Sequence, residues 1–336
     1  MKKNTEREIA LYILIDITTL NLYNNIVLRK TLNKNNALLP MQRAFITELV
    51  NGTLRNLIYI DYVINLYSKT KTKKMKPFIL NVLRMSIYQI LFLDKVPNSA
   101  VCNEAVNLTK AKNFNNLAGF VNGVLRSITR AEQINLPNKE KEPVRYLSVK
   151  FSYSEWIIEY LLESYDFETV YEICEINNIS PNVTICVNTL KTTKENLKQL
   201  LEDEGVQVFE SELIDTALKI SPKGDIANLK SFQEGLFHIM DESSMLSGKI
   251  VNPEENSTVF DVCSAPGGKS FFMSYLMNGT GKIICNDIYE HKIDLINDGV
   301  KRLELKNISA QLWDSTKTDE SQIKKADFVL IDAPCS

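Results

Sequence analysis

The chain has 336 residues, 44% hydrophobic and 24% charged, with a formal net charge of −2, the composition of a globular protein too long for a single core. No run approaches the roughly 18 uncharged apolar residues of a membrane span, since the most apolar N-terminal stretch, Leu11 to Leu20, carries Asp16, and Asn4-Thr5-Glu6-Arg7 stands where a secretory signal would be apolar. Six cysteines without a CxxC pair and only two histidines argue against a zinc site and for the reducing cytoplasm.

Residues 4–131 carry an almost wholly helical pattern. Apolar residues recur at three- and four-residue spacing in Ile9-Ile13-Ile17-Leu20, Phe45-Leu49, Leu83-Ile87-Ile90-Leu91 and Val101-Ala105-Leu108. Pro40, Pro77 and Pro97-Asn98-Ser99 mark three helix starts. A helical bundle is expected, with Phe45, Tyr88, Phe92 and Phe120 in its core. Residues 1–150 hold 23 Lys and Arg against 10 Asp and Glu, whereas residues 151–336 hold 16 against 31. A basic excess of that kind favours a polyanion such as RNA or DNA through counterion release. For the run Lys69-Thr-Lys71-Thr-Lys73-Lys74-Met-Lys76 taken alone, a solvated lysine-rich face is an equal alternative.

Residues 132–150 read as a linker, because Pro137, Pro143 and Lys139-Glu140-Lys141-Glu142 break any periodic pattern. Ser152-x-x-Glu155 predicts a capping box at the head of an amphipathic helix containing Trp156, Ile157, Tyr160 and Leu161. A small α+β domain over 151–241 is expected, with strands over 183–187, 206–209 and 236–240 and a helix over 194–204 ended by Gly205.

From 242 to 336 the pattern alternates strictly between strands near 258–263, 282–287, 308–314 and 327–333 and helices near 269–278 and 289–305. That alternation predicts a parallel, doubly wound sheet, whose ligands sit at the C-terminal ends of the strands. Asp287, Asp314 and Asp332 stand at that edge.

Cys263-Ser264-Ala265-Pro266-Gly267-Gly268-Lys269 joins a buried strand to a helix, a turn that brings backbone N–H groups against a ligand's carboxylate or phosphate. It is not the GxGxxG of a dinucleotide site. Asp287 at the end of the next strand is placed to accept both hydroxyls of a ribose, and Asp314 the exocyclic amine of adenine. Together they point to an adenosine-containing cofactor; helix capping is the competing explanation for Asp287 and Asp314 taken singly. Asp332-Ala-Pro-Cys335 adds an acid and a thiol suited to a nucleobase: a carboxylate for the Watson–Crick edge of cytosine, and a thiolate that attacks carbon 6 or helps release the adduct. A small buried hydrophobe is the default reading of a free cysteine.

With these motifs the chain resembles, over nearly its whole length, the bacterial RNA 5-methylcytosine methyltransferases of the Sun/RsmB type. Arg43 to Arg55 and Gly119 to Arg126 resemble a NusB-type RNA-binding domain, and Phe232 to Leu236 and Met240 to Met245 are similar to the stretch that leads into the family's catalytic domain. The resemblance implies an all-α NusB-like bundle (1–131), the small α+β domain (151–241) and the N-terminal part of an α/β Rossmann-like methyltransferase domain (242–336). It implies S-adenosyl-L-methionine as cofactor, contacted by Cys263, Ser264, Ala265, Pro266, Gly267, Gly268, Lys269, Asp287, Asp314 and Asp332. Asp332 also holds the target base, and Cys335 assists product release.

The implied activity is methylation of cytosine C5 in small-subunit (16S) ribosomal RNA, by a cytoplasmic monomer that needs neither metal nor membrane. The family's attacking cysteine belongs to a Thr-Cys-Ser motif further along, and no Thr-Cys-Ser occurs in these 336 residues. The chain is therefore read as an N-terminal fragment, inactive in methyl transfer and poorly soluble or partly unfolded from about residue 256, where an apolar strand over 327–331 is left with an open edge. Another RNA, such as transfer RNA, is the alternative substrate. A non-catalytic NusB-like antitermination or RNA-binding protein is the alternative class.

Overall fold

A computed structural model describes residues 5–179, 183–221, 224–318 and 320–333. It divides between residues 180 and 181 into two compact units.

The first unit is all helical: α1 (Glu6–Leu20), α2 (Asn24–Lys34), α3 (Pro40–Arg55), α4 (Leu57–Tyr67), α5 (Pro77–Phe92), α6 (Asn98–Ala111), α7 (Asn115–Thr129), α8 (Pro143–Phe151), α9 (Glu155–Leu162) and α10 (Phe167–Asn178). The three proline-marked starts fall where expected, with Pro40 and Pro77 at the first position of α3 and α5 and Pro97 capping α6. Ile9, Ile13, Leu49, Leu83, Ile87 and Ala105 enter one shared core. Tyr88 is buried there, its hydroxyl donating to the Glu48 carboxylate, whereas Phe92 is 40% exposed.

Three local expectations fail in this unit. The stretch read as linker contains α8. Ser152 does not cap α9: it ends α8 in the left-handed region at φ 61°, and its hydroxyl accepts the Ile58 N–H of α4 at 2.9 Å. The N-cap residue of α4, Asn56, supplies no side-chain cap, so the helix's orphan donors recruit an acceptor 94 residues away. Helix α9 buries Ile158 and leaves Trp156 and Tyr160 about two-thirds exposed, so its buried stripe is displaced from the one expected.

The second unit opens with an antiparallel sheet of order β2-β3-β1-β4, formed by β1 (Val183–Val187), β2 (Gln207–Glu210), β3 (Ala217–Ser221) and β4 (Phe237–Ile239). Helices α11 (Lys194–Asp203) and α12 (Lys230–Gln233) accompany it, and Leu197, Leu201, Leu218 and Phe237 fill its core. Strand β3 had no signal in the sequence reading: it pairs with two neighbours, and three of its five residues are buried.

The remainder is α/β: α13 (Glu242–Val251), β5 (Thr258–Asp261), α14 (Gly268–Leu276), β6 (Lys282–Asp287), α15 (Glu290–Leu303), β7 (Ile308–Leu312) and β8 (Phe328–Leu330). The four strands are parallel in the order β7-β6-β5-β8. Strict alternation breaks once, because β7 and β8 are joined among the described residues by a short 3-10 turn at Glu320–Gln322 and not by a helix. Strand β8 lies at the sheet edge, with Val329 and Ile331 more than half exposed. No helix among the described residues is long and apolar enough to cross a membrane.

A polar seam joins the small sheet to the α/β part. Asn188, fully buried, donates from Nδ2 to the Gly235 carbonyl at 3.0 Å and the Leu303 carbonyl at 3.1 Å. The Arg302 guanidinium lies 3.8 Å from the Phe232 ring centre and donates to the Phe232 and Phe237 carbonyls. Asn188→Ala strands two buried acceptors, and the expected loss is about 2–4 kcal/mol of unfolding free energy, measured by urea denaturation.

Candidate active site

Strands β5, β6 and β7 progress in one direction across the sheet, and β8 returns to the other side of β5. The order reverses between β5 and β8, and in parallel sheets that crevice, at the carboxyl ends of the strands, is where ligands bind. Both motifs flank it: residues 262–269 follow β5, and Asp332 follows β8.

The turn after β5 is held from below. Ser264 donates both its backbone N–H and its hydroxyl to the Asn286 carbonyl of β6, at 2.9 and 3.0 Å. Gly267 adopts φ 107° as the N-cap of α14, so the first amides of that helix carry no side-chain cap. A Cβ at this position would lie 2.4 Å from the Phe271 ring, so the turn has room only for glycine.

Two cavities meet at this turn. The larger, about 710 Å³, is lined by Asp287, Tyr289, Lys292, Trp313 and Asp314; the smaller, about 200 Å³, by Met240, Asp241, Asp261, Gly268 and Lys269. Cys263, Ala265 and Asp332 line both. All the expected site residues within the described chain, apart from Gly267, form a wall of one or both; Cys335 lies outside the described residues.

Each carboxylate is held differently. Asp287, nearly buried, accepts the Tyr289 N–H at 3.2 Å and faces the Lys292 ammonium at 3.4 Å. Asp314 accepts both the N–H and the hydroxyl of Thr316, and the two together hold its pKa below the ordinary carboxylate value. Asp332 pairs with Lys269 at 2.6 Å, which ties the two motifs across the crevice. Cys263 is pushed up by burial and by the Asp261 and Asp287 carboxylates, so its thiol stays protonated at neutral pH and is a poor nucleophile.

Asp261 is a site residue that the motifs do not mark. It ends β5 as Asp287 ends β6, so the rule that singled out the other strand-end acids applies to it as well. It is 1% exposed, and its Oδ2 accepts the Ser270 hydroxyl at 2.6 Å. Its Oδ1 is buried without a hydrogen-bond partner, in the wall of the smaller cavity. Burial raises its pKa to about 6; the Ser270 hydroxyl, the Cys263 amide and Lys269 pull it down, and Asp332 pushes it up. The Cys263 amide is near enough to be felt but not at hydrogen-bonding geometry, so Oδ1 remains open.

His238 packs edge-on against Phe271, beneath the turn, and burial lowers its pKa to about 3, so it is a neutral core residue. Among the described residues no group of three or more His, Cys, Asp or Glu side chains is arranged to hold a metal ion.

Three family profiles match successive parts of the chain: the NusB family over residues 4–130, the RsmF/B-like ferredoxin-like domain over 153–227 and 16S rRNA methyltransferase RsmB/F over 248–336. The crystal structure of PH0851 superposes on 99% of this chain and 75% of its own, with TM-score 0.73 and 24% identity, a likeness of fold. The "Probable ribosomal RNA small subunit methyltransferase B" of Synechocystis is 30% identical over 98% of this chain and 74% of its own length. The protein of the same name from Bacillus subtilis is 39% identical over 100% of this chain and 74% of its own. With relatives of that similarity along its whole length, and with methyltransferase motifs on both sides of the sheet's switch point, the chain belongs to the RsmB/F family of ribosomal RNA small subunit methyltransferases.

Proposed function

We propose that the chain binds the methyl donor and RNA for S-adenosyl-L-methionine-dependent methylation of carbon 5 of cytosine in 16S ribosomal RNA, in the cytoplasm. One observation carries this reading: four strand-end acids, Asp261, Asp287, Asp314 and Asp332, converge on two cavities that share the wall of the Pro-Gly-Gly turn. Residues 1–131 are assigned to RNA binding and 242–336 to chemistry, with 151–241 between them.

The residues fit such a donor. The larger cavity offers Asp287 for ribose hydroxyls and Asp314 for the adenine amine. The uncapped amides after Gly267 suit a carboxylate, and the open Oδ1 of Asp261 suits an ammonium group, the two ends of an amino acid. When bound, the donor supplies an electrophilic methyl group. Asp332, which lines both cavities, accepts from the amine of the target cytosine, and Lys269 holds that carboxylate in place. The family resemblance assigns product release to Cys335 and attack on carbon 6 to the cysteine of a Thr-Cys-Ser motif, which these 336 residues do not contain.

Calorimetry with S-adenosyl-L-methionine tests the reading. The chain is expected to take up one equivalent and to transfer no labelled methyl to 16S rRNA by itself. No uptake would favour the alternative of a non-catalytic RNA-binding protein, for which the NusB match over residues 4–130 speaks. Labelled cytosine formed by this chain would instead make Cys335 the nucleophile. Binding to transfer RNA in preference to 16S rRNA at matched salt would change the substrate and leave the chemistry standing.

A further inference from the structure

We propose that Cys285 and Ser270 form a buried relay that turns Asp261 so that only its Oδ1 is presented to the ammonium group of the methyl donor, which makes both of them positioning residues. The proposal rests on the donor reading given above and adds to it two residues that line neither cavity.

The geometry is a chain of three groups from three elements. Cys285 on β6 donates from Sγ to the Ser270 Oγ at 3.1 Å, and Ser270 on α14 donates to the Asp261 Oδ2 of β5 at 2.6 Å. All three side chains are 1% exposed or less. Strands β5 and β6 set Asp261 directly opposite Cys285 in the parallel ladder, and the first turn of α14 brings Ser270 over both.

The direction of each hydrogen bond follows from chemistry. An ionised carboxylate only accepts, so the Ser270 proton is committed to Asp261 and its oxygen must accept from a neighbour. Cys285 fills that role, and burial holds its thiol at a pKa of about 12, so the donor proton is present throughout the physiological range. A polarised hydroxyl donates more strongly. The result is one carboxylate oxygen fully engaged and the other left bare in a cavity wall, where a buried acceptor without a partner costs free energy until a ligand meets it.

The groups that set the titration of Asp261 are few. Lys269 and Ser270 face it from α14, the Cys263 amide from the turn, Cys285 from β6 and Asp332 from beyond β8; Asp241, at the N-cap of α13, lines the same cavity. Removing the serine hydroxyl removes the largest influence that favours the ionised form.

The test is S-adenosyl-L-methionine binding by the 336-residue chain, titrated calorimetrically between pH 5 and 9. The unaltered chain should lose affinity as pH falls through about 6. Ser270→Ala should move that midpoint up by about one pH unit, weakening binding about twofold at pH 7 and approaching tenfold towards pH 5. Ser270→Thr should restore both, Cys285→Ala should move the midpoint part of the way, and Cys285→Ser should leave it in place. A weakened affinity with an unmoved midpoint in Ser270→Ala and Cys285→Ala would mean ordinary packing damage, and it overturns the relay while the donor reading survives. If Ser270→Ala fails to fold, the Cys285 pair and a 13C titration of the Asp261 carboxyl decide in the same way. No binding by the unaltered chain overturns the donor reading and the relay with it.

Discussion

Asp261→Asn is expected to raise the melting temperature of the donor-free protein at pH 8 and to weaken donor binding at least about tenfold. The two effects share one cause. In the folded protein burial lifts the Asp261 pKa to about 6 from an ordinary value of 3.8, so the native state holds the proton more tightly than the unfolded chain. For a carboxyl shifted in that direction, stability is greatest below the unfolded pKa, falls as pH rises from about 4 to about 6, and stays low above it. The shift corresponds to roughly 2–3 kcal/mol at pH 8. Asparagine removes that penalty, so the gain in melting temperature should shrink towards pH 4, where the native carboxyl is already neutral. Asparagine also removes the negative charge that an ammonium group would meet at Oδ1. Thermal melts at pH 4 and pH 8, with calorimetry at pH 8, separate the two effects. A variant less stable than the parent at pH 8 would show that Asp261 is structural.

Gly267→Val is expected to abolish measurable donor uptake and to destabilise the second unit by about 2–4 kcal/mol. The residue combines two demands: φ of 107°, where a β-branched side chain is strained, and contact between its Cα and the ring of Phe271. Phe271 is hemmed in at the same ring end by a second glycine, since a Cβ added at Gly299 of α15 would lie 2.5 Å from the ring. The substitution therefore displaces either the turn or α14, and the amides that end in the crevice move with them. Donor titration and urea denaturation of the variant measure the two consequences. A variant with the parent's affinity would show that the turn does not touch the donor.

The site was legible from sequence to the extent that its chemistry follows strand ends. A parallel sheet delivers the residue after each strand to one edge, so Asp287, Asp314 and Asp332 group together from sequence alone, and the family resemblance implies a cofactor for them. Asp261 obeys the same rule, but in sequence it is indistinguishable from the strand that leads into the turn, and only its burial and open Oδ1 mark it. Lys292 and Tyr289, which hold Asp287, stand five and two residues away in sequence and carry no motif.

By itself the amino-acid order determined the helical first part, the α/β last part, the proline-marked helix starts and the glycine-dependent turn, because periodicity, φ preference and capping act over a few residues. Tertiary structure alone decided that Ser152 caps α4, that Trp156 and Tyr160 face outward, that β3 is a buried central strand and that Cys285 reaches Asp261 through Ser270. These depend on which distant groups are brought within hydrogen-bonding distance and which surfaces lose their water. No local preference encodes either, since a serine hydroxyl or an apolar face is satisfied by whatever partner the packed chain sets beside it.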